Sequence, residues 1–512
     1  MSRTKRFLGG LSFGYANQLL VMVAGLWLTP FLLYRIGQHD YGLWLVGAQI
    51  LTYLTLMDLG VVALLPRATA YATGRAGSFE SATDLPDIIG QTTRLVLWQI
   101  PLVALAALIL WLMMPVEWAT LRMPLGLIML AFVVTFPLRI FAAVLQGLQD
   151  LAFLGKVVIG TWFITTATTI CLVLAGFGLY SLAIGGTLNL LISPFICYQR
   201  LRRRFPGVLP RKLSALTRTN AKAQLTKGTW ASVAQIAQAL LNGTDVLIIG
   251  KLLGPLAVVP FACTGKLTGV LANQPQMLMQ AAAPALSEMK MGESRARLFN
   301  VCTALSQAML MISGAVVCVV LTINQSFVSW WVGAEQFGGF LLSGLILLEM
   351  LLRHWNTTAA YTIFCFGYER RLAITTLLDG VLSVCAAIVF VWLLGPIGAP
   401  LGTILGVSLV SLPGNLSVMA RESGVTIGTL TKSLWPWFWR FVLLVIAAWS
   451  VTRVFIPQGL IITFATAALS ALVYAVVMLP VALRAPLGEY LQPYVTSLRG
   501  KLFGTVRSID PA

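Results

Sequence analysis

The feature that most constrains this chain is its succession of long apolar runs. A bilayer hydrocarbon core is about 30 Å thick, and an α-helix needs roughly 20 apolar residues to cross it. Runs of about that length recur near 8–34, 42–65, 93–115, 122–146, 153–175, 179–199, 228–252, 256–283, 298–323, 340–366, 372–394, 398–420, 436–456 and 459–483. They are continuous rather than alternating, so they read as helices and not as strands of a barrel. Hydrophobic residues are 58% of the chain and charged residues only 10%, a balance that excludes a soluble domain of this length. The expectation is an all-α polytopic membrane protein with about 14 transmembrane helices.

A net charge of +18 would point to nucleic acid in a soluble chain. Here the excess falls in short loops on one side, so topology accounts for it and no nucleic-acid partner is expected. Of the 35 Lys and Arg, Arg35, Arg122, Lys251 and Arg453 fall at the opposite ends, and Arg139, Lys266, Arg353 and Arg440 lie within helices. An even number of spans with the basic side inside puts both termini in the cytoplasm. Met1–Phe7 is basic and precedes an apolar run too long for a signal peptide, so this run reads as the first span.

An internal repeat divides the chain. At an offset of about 214 residues, Arg139 aligns with Arg353, Lys156 with Arg370 and Thr161 with Thr375. The expected plan is a six-helix lobe over 1–199, a basic cytoplasmic linker over 200–227 and a second six-helix lobe over 228–420. Two further helices fill 436–483, and 484–512 forms a cytoplasmic amphipathic tail. The linker Arg200–Lys227 carries nine Lys/Arg and no acid. It reads first as a topology determinant and second as a surface for anionic headgroups. Gly10 and Gly14, Gly265 and Gly269, and Gly398, Gly402 and Gly406 form small-xxx-small series that let helices approach closely.

Polar stripes cross two adjacent spans. Gln235, Gln238, Asn242 and Asp245 share an arc of about 80° on one helix, and Lys266, Asn273, Gln276 and Gln280 share a similar arc on the next. Ionisable groups at membrane depth face water, substrate or one another. The stripes therefore read either as one wall of a hydrated cavity or as hydrogen bonding that holds a bundle together. A second polar centre lies in 340–366, where Glu349, Arg353 and Asn356 fall within an arc of about 60°. A Glu349–Arg353 pair at i, i+4 is the structural alternative there. Asp58 and Asp379 sit nearer the cytoplasmic ends, where headgroup water or a loop arginine such as Arg67 or Arg370 would meet them.

No phosphate loop, serine elbow or metal-binding His/Cys cluster stands out, so no enzyme activity, cofactor or metal is expected. The seven cysteines lie in apolar segments without metal spacing and read as small hydrophobes.

Three stretches, YRIGQHDYGLW at Tyr34–Trp44, LMDLGV at Leu56–Val61 followed by Pro66 and Arg67, and NGTDVLIIGKLLG at Asn242–Gly254, carry a resemblance, and APALSE at Ala283–Glu288 adds to it. They resemble signatures of the polysaccharide-exporter, O-antigen-type branch of the multidrug/oligosaccharidyl-lipid/polysaccharide flippase superfamily. The resemblance implies a MATE-like fold of two pseudo-symmetric six-helix lobes around a central cavity, alternating access, and substrates such as polyprenyl-pyrophosphate-linked oligosaccharide. It implies no universal catalytic residues. Membrane lipid is the surrounding partner, and a polysaccharide polymerase and glycosyltransferases are the protein partners such a pathway would supply.

The candidate substrate-binding residues are Arg139, Lys266, Arg353, Asn242, Gln235, Gln238, Asn273, Gln276 and Asn356. The candidate ion-coupling residues are Asp245, Glu349 and Asp58. Three intramembrane cations suit an anionic head. A cation-coupled multidrug exporter of the same fold and a non-transporting scaffold of a polysaccharide assembly complex are the two rival readings.

Overall fold

In the computed structural model the described residues are 25–76, 79–210, 213, 218–272, 275, 279, 286 and 294–491, and at 218–232, 234 and 242 the backbone alone is described. Among them every regular element is helical. In chain order they are α1 (25–36), α2 (Gln38–Leu54), α3 (Val61–Ala76), α4 (Leu85–Leu112), α5 (Ala119–Thr135), α6 (Arg139–Gly147), α7 (Leu151–Leu174), α8 (Leu179–Arg204) and α9 (Arg218–Leu252). Then follow α10 (Pro255–Thr264), α11 (Lys266–Ala272), α12 (Arg295–Trp331), α13 (Phe340–Cys365), α14 (Glu369–Leu394), α15 (Gly398–Gly406), α16 (Leu412–Ser423), α17 (Ile427–Val454) and α18 (Leu460–Ala482). A π-helical turn, Val407–Ser411, joins α15 to α16.

Eight stretches are long and apolar enough to cross a membrane, or ten if each of two bent pairs is one span. This is a multi-span all-α membrane protein. The helices overlap the expected spans from 42–65 onward, but 42–65 falls in a bent pair, 372–394 and 398–420 fall in one stretch, and α9 and α13, which cover 228–252 and 340–366, lie outside the ten. The span 256–283 is described continuously only to residue 272. The first expected span is described only from residue 25, and the tail Leu487–Arg507 only to residue 491. Glu349, Arg353, His354 and Asn356 lower the hydropathy of α13, which falls outside the eight.

Contacts group the chain into two units, Met1–Val259 and Pro260–Ala512. In the first, α7 and α8 pack on one another, α5 packs on α8, and α9 lies along α2. Small residues set these distances. A Cβ at Gly42 would strike the Pro255 carbonyl, one at Gly243 the Gln49 amide, and one at Gly147 the Pro66 carbonyl and Thr69. Lipid offers no hydrophobic drive for helix association, so close van der Waals packing must supply it.

In the second unit α12 is the most buried spanning helix and α18 the least. Leu310, Val317 and Leu321 of α12 form a core with Leu347 of α13, Trp437 and Phe441 of α17 and Tyr474 of α18. Trp437 Nε1 donates to Tyr474 Oη at 3.1 Å, and both rings press on Gly314 of α12. Outward-facing Ile461, Phe464, Leu469, Leu472 and Val476 of α18 are exposed, as a lipid-facing helix requires.

The glycine series of α15 works as its spacing predicts. A Cβ at Gly398 would collide with the Phe390 backbone, at Gly402 with the Ala387 backbone, and at Gly406 with Ser383 Oγ and Asp379 Oδ1. All four targets lie on α14. One small residue per turn lets the two helices meet backbone to backbone.

Candidate functional site

The first polar centre grows out of a broken helix. After α2 the chain makes a 3-10 turn, Thr55–Asp58, and then Leu59 (φ 49°) and Gly60 (φ 70°) take left-handed conformations. The span bends by 52° there. A break inside a membrane frees carbonyls that lipid cannot satisfy, so neighbouring helices must. Gln99 Nε2 of α4 donates to the Asp58 carbonyl at 3.1 Å, and Arg139 Nη1 of α6 donates to the Thr55 carbonyl at 3.2 Å. The Asp58 side chain accepts from Gly60 N at 2.9 Å and lies 3.7 Å from Arg139 Nη2. Arg139 reaches the break because Phe136–Leu138 form a 3-10 turn around Pro137, which starts α6 at this residue. Its guanidinium lies over the Phe132 and Phe136 rings, 5.8 and 5.7 Å from their centroids.

Next to this break lies the α9 stripe. Tyr53 of α2 donates to the Ala239 carbonyl at 3.2 Å and meets Thr244 Oγ1 at 2.5 Å. Asp245 is half-buried and close enough to Tyr53 to act on it electrostatically. Gln235 is half-buried and Gln238 exposed, while the side chain of Asn242 lies outside the described residues. On α11, Lys266 is half-buried, and among the described residues no carboxylate lies within ion-pair distance of it. Asn273, Gln276 and Gln280 fall outside the described residues.

The second centre is built on α13. Arg353 pairs with Asp379 of α14, not with Glu349 one turn away as the spacing alternative had it. Nη1 lies 2.5 Å from Asp379 Oδ2 and Nη2 3.2 Å from Oδ1, a bidentate fork. Ser383 Oγ donates to Oδ1 at 3.0 Å and Ser411 Oγ to Oδ2 at 2.5 Å. The Asp379 side chain has no exposed surface. Ser411 is delivered by the π-helical turn, which shifts the register between α15 and α16. Among the described residues no loop arginine lies within ion-pair distance of Asp58 or Asp379. Asp58 lies against Arg139 and Asp379 pairs with Arg353, both within the spans.

Two further polar contacts are made by α13. Asn356 Oδ1 accepts from Asn415 Nδ2 of α16 at 2.8 Å. His354 Nδ1 meets Ser313 Oγ of α12 at 2.7 Å. Glu349 is half-buried. No group of three or more His, Cys, Asp or Glu positioned for a metal occurs among the described residues.

Asp58 is a candidate from the sequence as an acid within a span, but its contact with Arg139 carries no sequence signal. Gln99, Tyr53, Ser383, Ser411 and Asn415 were missed. Ser383 stands four residues after Asp379 on one helix, and that i, i+4 spacing was the available signal.

Comparison with solved structures settles the architecture. A lipid II flippase, MurJ, in an inward closed conformation aligns at a TM-score of 0.66 and 12% identity, over 93% of this chain and 100% of that one. An inward-facing multidrug resistance MATE transporter of the MOP superfamily aligns at 0.56 and 16%, over 83% and 99%. An outward-facing MATE transporter of the same superfamily aligns at 0.52 and 15%, over 82% and 94%.

The fold is the MATE/MurJ fold.

Residues 92–336 match a family described as polysaccharide biosynthesis protein. A comparison with curated protein sequences gave no match. The resemblance carried by the motifs at Tyr34–Trp44, Leu56–Val61 and Asn242–Gly254 therefore agrees with both the family match and the MATE/MurJ fold. Two candidate spans are bent, α2–α3 by 52° and α10–α11 by 48°.

Proposed function

We propose that this protein is a flippase. It moves polyprenyl-pyrophosphate-linked oligosaccharide from the cytoplasmic to the outer face of a bacterial inner membrane by alternating access. The observation that carries this reading is the coincidence of a polysaccharide-biosynthesis family match with a fold that aligns over 93% of the chain with a lipid II flippase. The multidrug transporter fold covers 83%, ten points less of the chain. No covalent chemistry is part of the proposal, and the cargo belongs to an O-antigen, capsule or exopolysaccharide pathway.

Charge supports an anionic head. Outward movement of each negative charge gains about 2.3 kcal/mol per 100 mV when the interior is negative. The ion pairs redistribute the expected roles. The Arg353 fork is occupied by Asp379, and Arg139 is engaged with Asp58 and the Thr55 carbonyl. In this conformation neither is free to grip a pyrophosphate with its full fork. Lys266, with no carboxylate beside it among the described residues, is the cation best placed for phosphate oxygens. On the strength of their polar stripes alone, Gln235, Gln238 and Asn242 of the first unit and, separately, Asn273, Gln276 and Asn356 of the second are proposed to bind sugar hydroxyls. The basic end of each unit supports cytoplasmic termini. Arg75, Arg94, Lys156 and Arg200 share one end in the first, and Arg295, Arg371, Arg421 and Lys432 share one end in the second.

Cells lacking the protein should hold lipid-linked glycan that an external periodate or lectin probe does not reach, with total glycan unchanged. Normal external labelling in such cells would overturn the reading.

Asp245 is proposed as the coupling group, with Asp58 and Glu349 behind it. Asp245→Asn should cut glycan appearance on the outer face at least about tenfold, equivalent to about 1.4 kcal/mol on the rate-limiting barrier. Protein abundance should not change, because Asp245 is only half-buried and the amide keeps its size. Wild-type flux in the variant, insensitive to pH and ion gradients, would remove Asp245 from coupling.

A further inference from the structure

The turn between α13 and α14 opens a cleft of about 500 Å³ lined by Gly367, Tyr368, Arg370, Arg371, Ile374 and Thr375. Gly367 (φ 84°) makes the turn, and a Cβ there would meet nothing within 4 Å. Tyr368 closes one side, held by Oη donating to Glu422 Oε1 at 2.5 Å and covered by Arg421, whose guanidinium carbon lies 5.7 Å from the ring centroid. Arg371 Nη2 leans on α16 through the Gly414 carbonyl and Ser417 Oγ, both at 3.4 Å. Arg370 and Arg371 are exposed, as is the neighbouring Glu369.

Directly beyond the cleft, α14 presents an apolar stripe. Ile374, Leu378, Val381, Ile388 and Trp392 are all exposed. At about 100° per residue they share an arc of about 80°, and Arg370 and Arg371 fall on either edge of it. With a rise of about 1.5 Å per residue, Leu378 lies about 10 Å along the axis from Arg371. That is the offset between a headgroup phosphate and the upper part of its acyl chains.

We propose that this cleft is a binding site for one anionic phospholipid of the inner leaflet. The phosphate sits between Arg370 and Arg371, and an acyl chain lies along Ile374, Leu378 and Val381. Charge complementarity selects the headgroup. Each arginine near an anionic leaflet strengthens binding about fivefold. The exposed apolar stripe selects a lipid over free phosphate, which has no tail to place there. The tail also orients the headgroup, so the site is stereochemically built rather than a diffuse basic surface. Bound there, the lipid bridges the α13–α14 turn to α16 through Arg371 and Arg421, next to the helices that carry Arg353 and Asp379. The site rests on the proposed orientation, with this basic end cytoplasmic, and not on the transport activity.

The test uses the full-length protein in lipid nanodiscs containing photoactivatable phosphatidylglycerol, with crosslinks mapped by peptide mass spectrometry. Crosslinks should concentrate on the 374–381 segment. They should exceed those from photoactivatable phosphatidylcholine at the same segment at least fivefold. Arg370→Gln should lower the phosphatidylglycerol yield there about fivefold and leave crosslinks on α18 unchanged. The Arg370→Gln, Arg371→Gln double variant should lower it about 25-fold. Because Arg371 also touches α16, the single Arg370 variant, checked for monodispersity, decides the matter if the double variant misfolds. Equal crosslinking by the two lipids, or no change in Arg370→Gln, would overturn the proposal. Displacement of phosphatidylglycerol by equimolar undecaprenyl phosphate would also overturn it, because the cleft would then belong to an isoprenoid.

Discussion

Arg353→Ala should destabilise the protein by about 3–5 kcal/mol, the range for removing one partner of a buried ion pair. The cause is Asp379, whose side chain has no exposed surface. Alanine leaves that carboxylate with the hydroxyls of Ser383 and Ser411 and without the guanidinium fork. Arg353→Lys keeps the charge but loses the fork, so its cost should be smaller. Adding Asp379→Asn to Arg353→Ala should recover most of the loss, because the uncompensated charge is then gone. Denaturant-induced unfolding in detergent, run as a double-mutant cycle, reads the coupling directly. Arg139→Ala is the internal comparison. Its side chain is 31% exposed against 17% for Arg353, and its carboxylate contact is 3.7 Å against 2.5 Å. Its stability loss should be clearly the smaller of the two. Equal losses would show that burial of Asp379 does not set the cost.

A large effect on folding should come from Gly402→Leu. An added Cβ already collides with the Ala387 backbone, and backbone cannot rotate away as a side chain can. Overpacking a core with movable side chains costs about 1–3 kcal/mol. Here α14 and α15 must separate, so Gly402→Leu should abolish accumulation in the membrane, and Gly402→Ala should reduce it. Gly160 of α7 is the control. It is exposed and a Cβ there would meet nothing within 4 Å, so Gly160→Leu should accumulate normally. Quantitative immunoblotting of membranes separates the two. Normal abundance of Gly402→Leu would refute the backbone contact.

Features with a local cause were legible in the sequence, and features with a distant one were not. The four-residue spacing of Gly398, Gly402 and Gly406 announces close packing, and the structure puts all three against α14. The spans were legible because hydropathy over about 20 residues is itself the physical requirement for crossing lipid. The partner of Arg353 was not, since Asp379 is 26 residues away on another helix. Spacing alone offered Glu349, which shares the α13 face, and tertiary packing overrode it. Asp58 was recognisable as part of LMDLGV, yet its role in sealing a break depends on Leu59 adopting a left-handed conformation that a leucine does not advertise. The π-helical turn that delivers Ser411 leaves no pattern in apolar sequence.

Reconstituted flipping tests the central claim most directly. Purified protein is placed in liposomes with a fluorescent polyprenyl-pyrophosphate oligosaccharide in both leaflets, and an impermeant reductant is added outside. Protein-free vesicles protect about half of the label, the share in the inner leaflet. With the protein present, the account predicts that the protected half is lost as labelled lipid reaches the outer leaflet. It also predicts that an inside-negative potential accelerates loss from the inner leaflet. A protected fraction that stays at the protein-free level, with correctly folded protein in every vesicle, would contradict it.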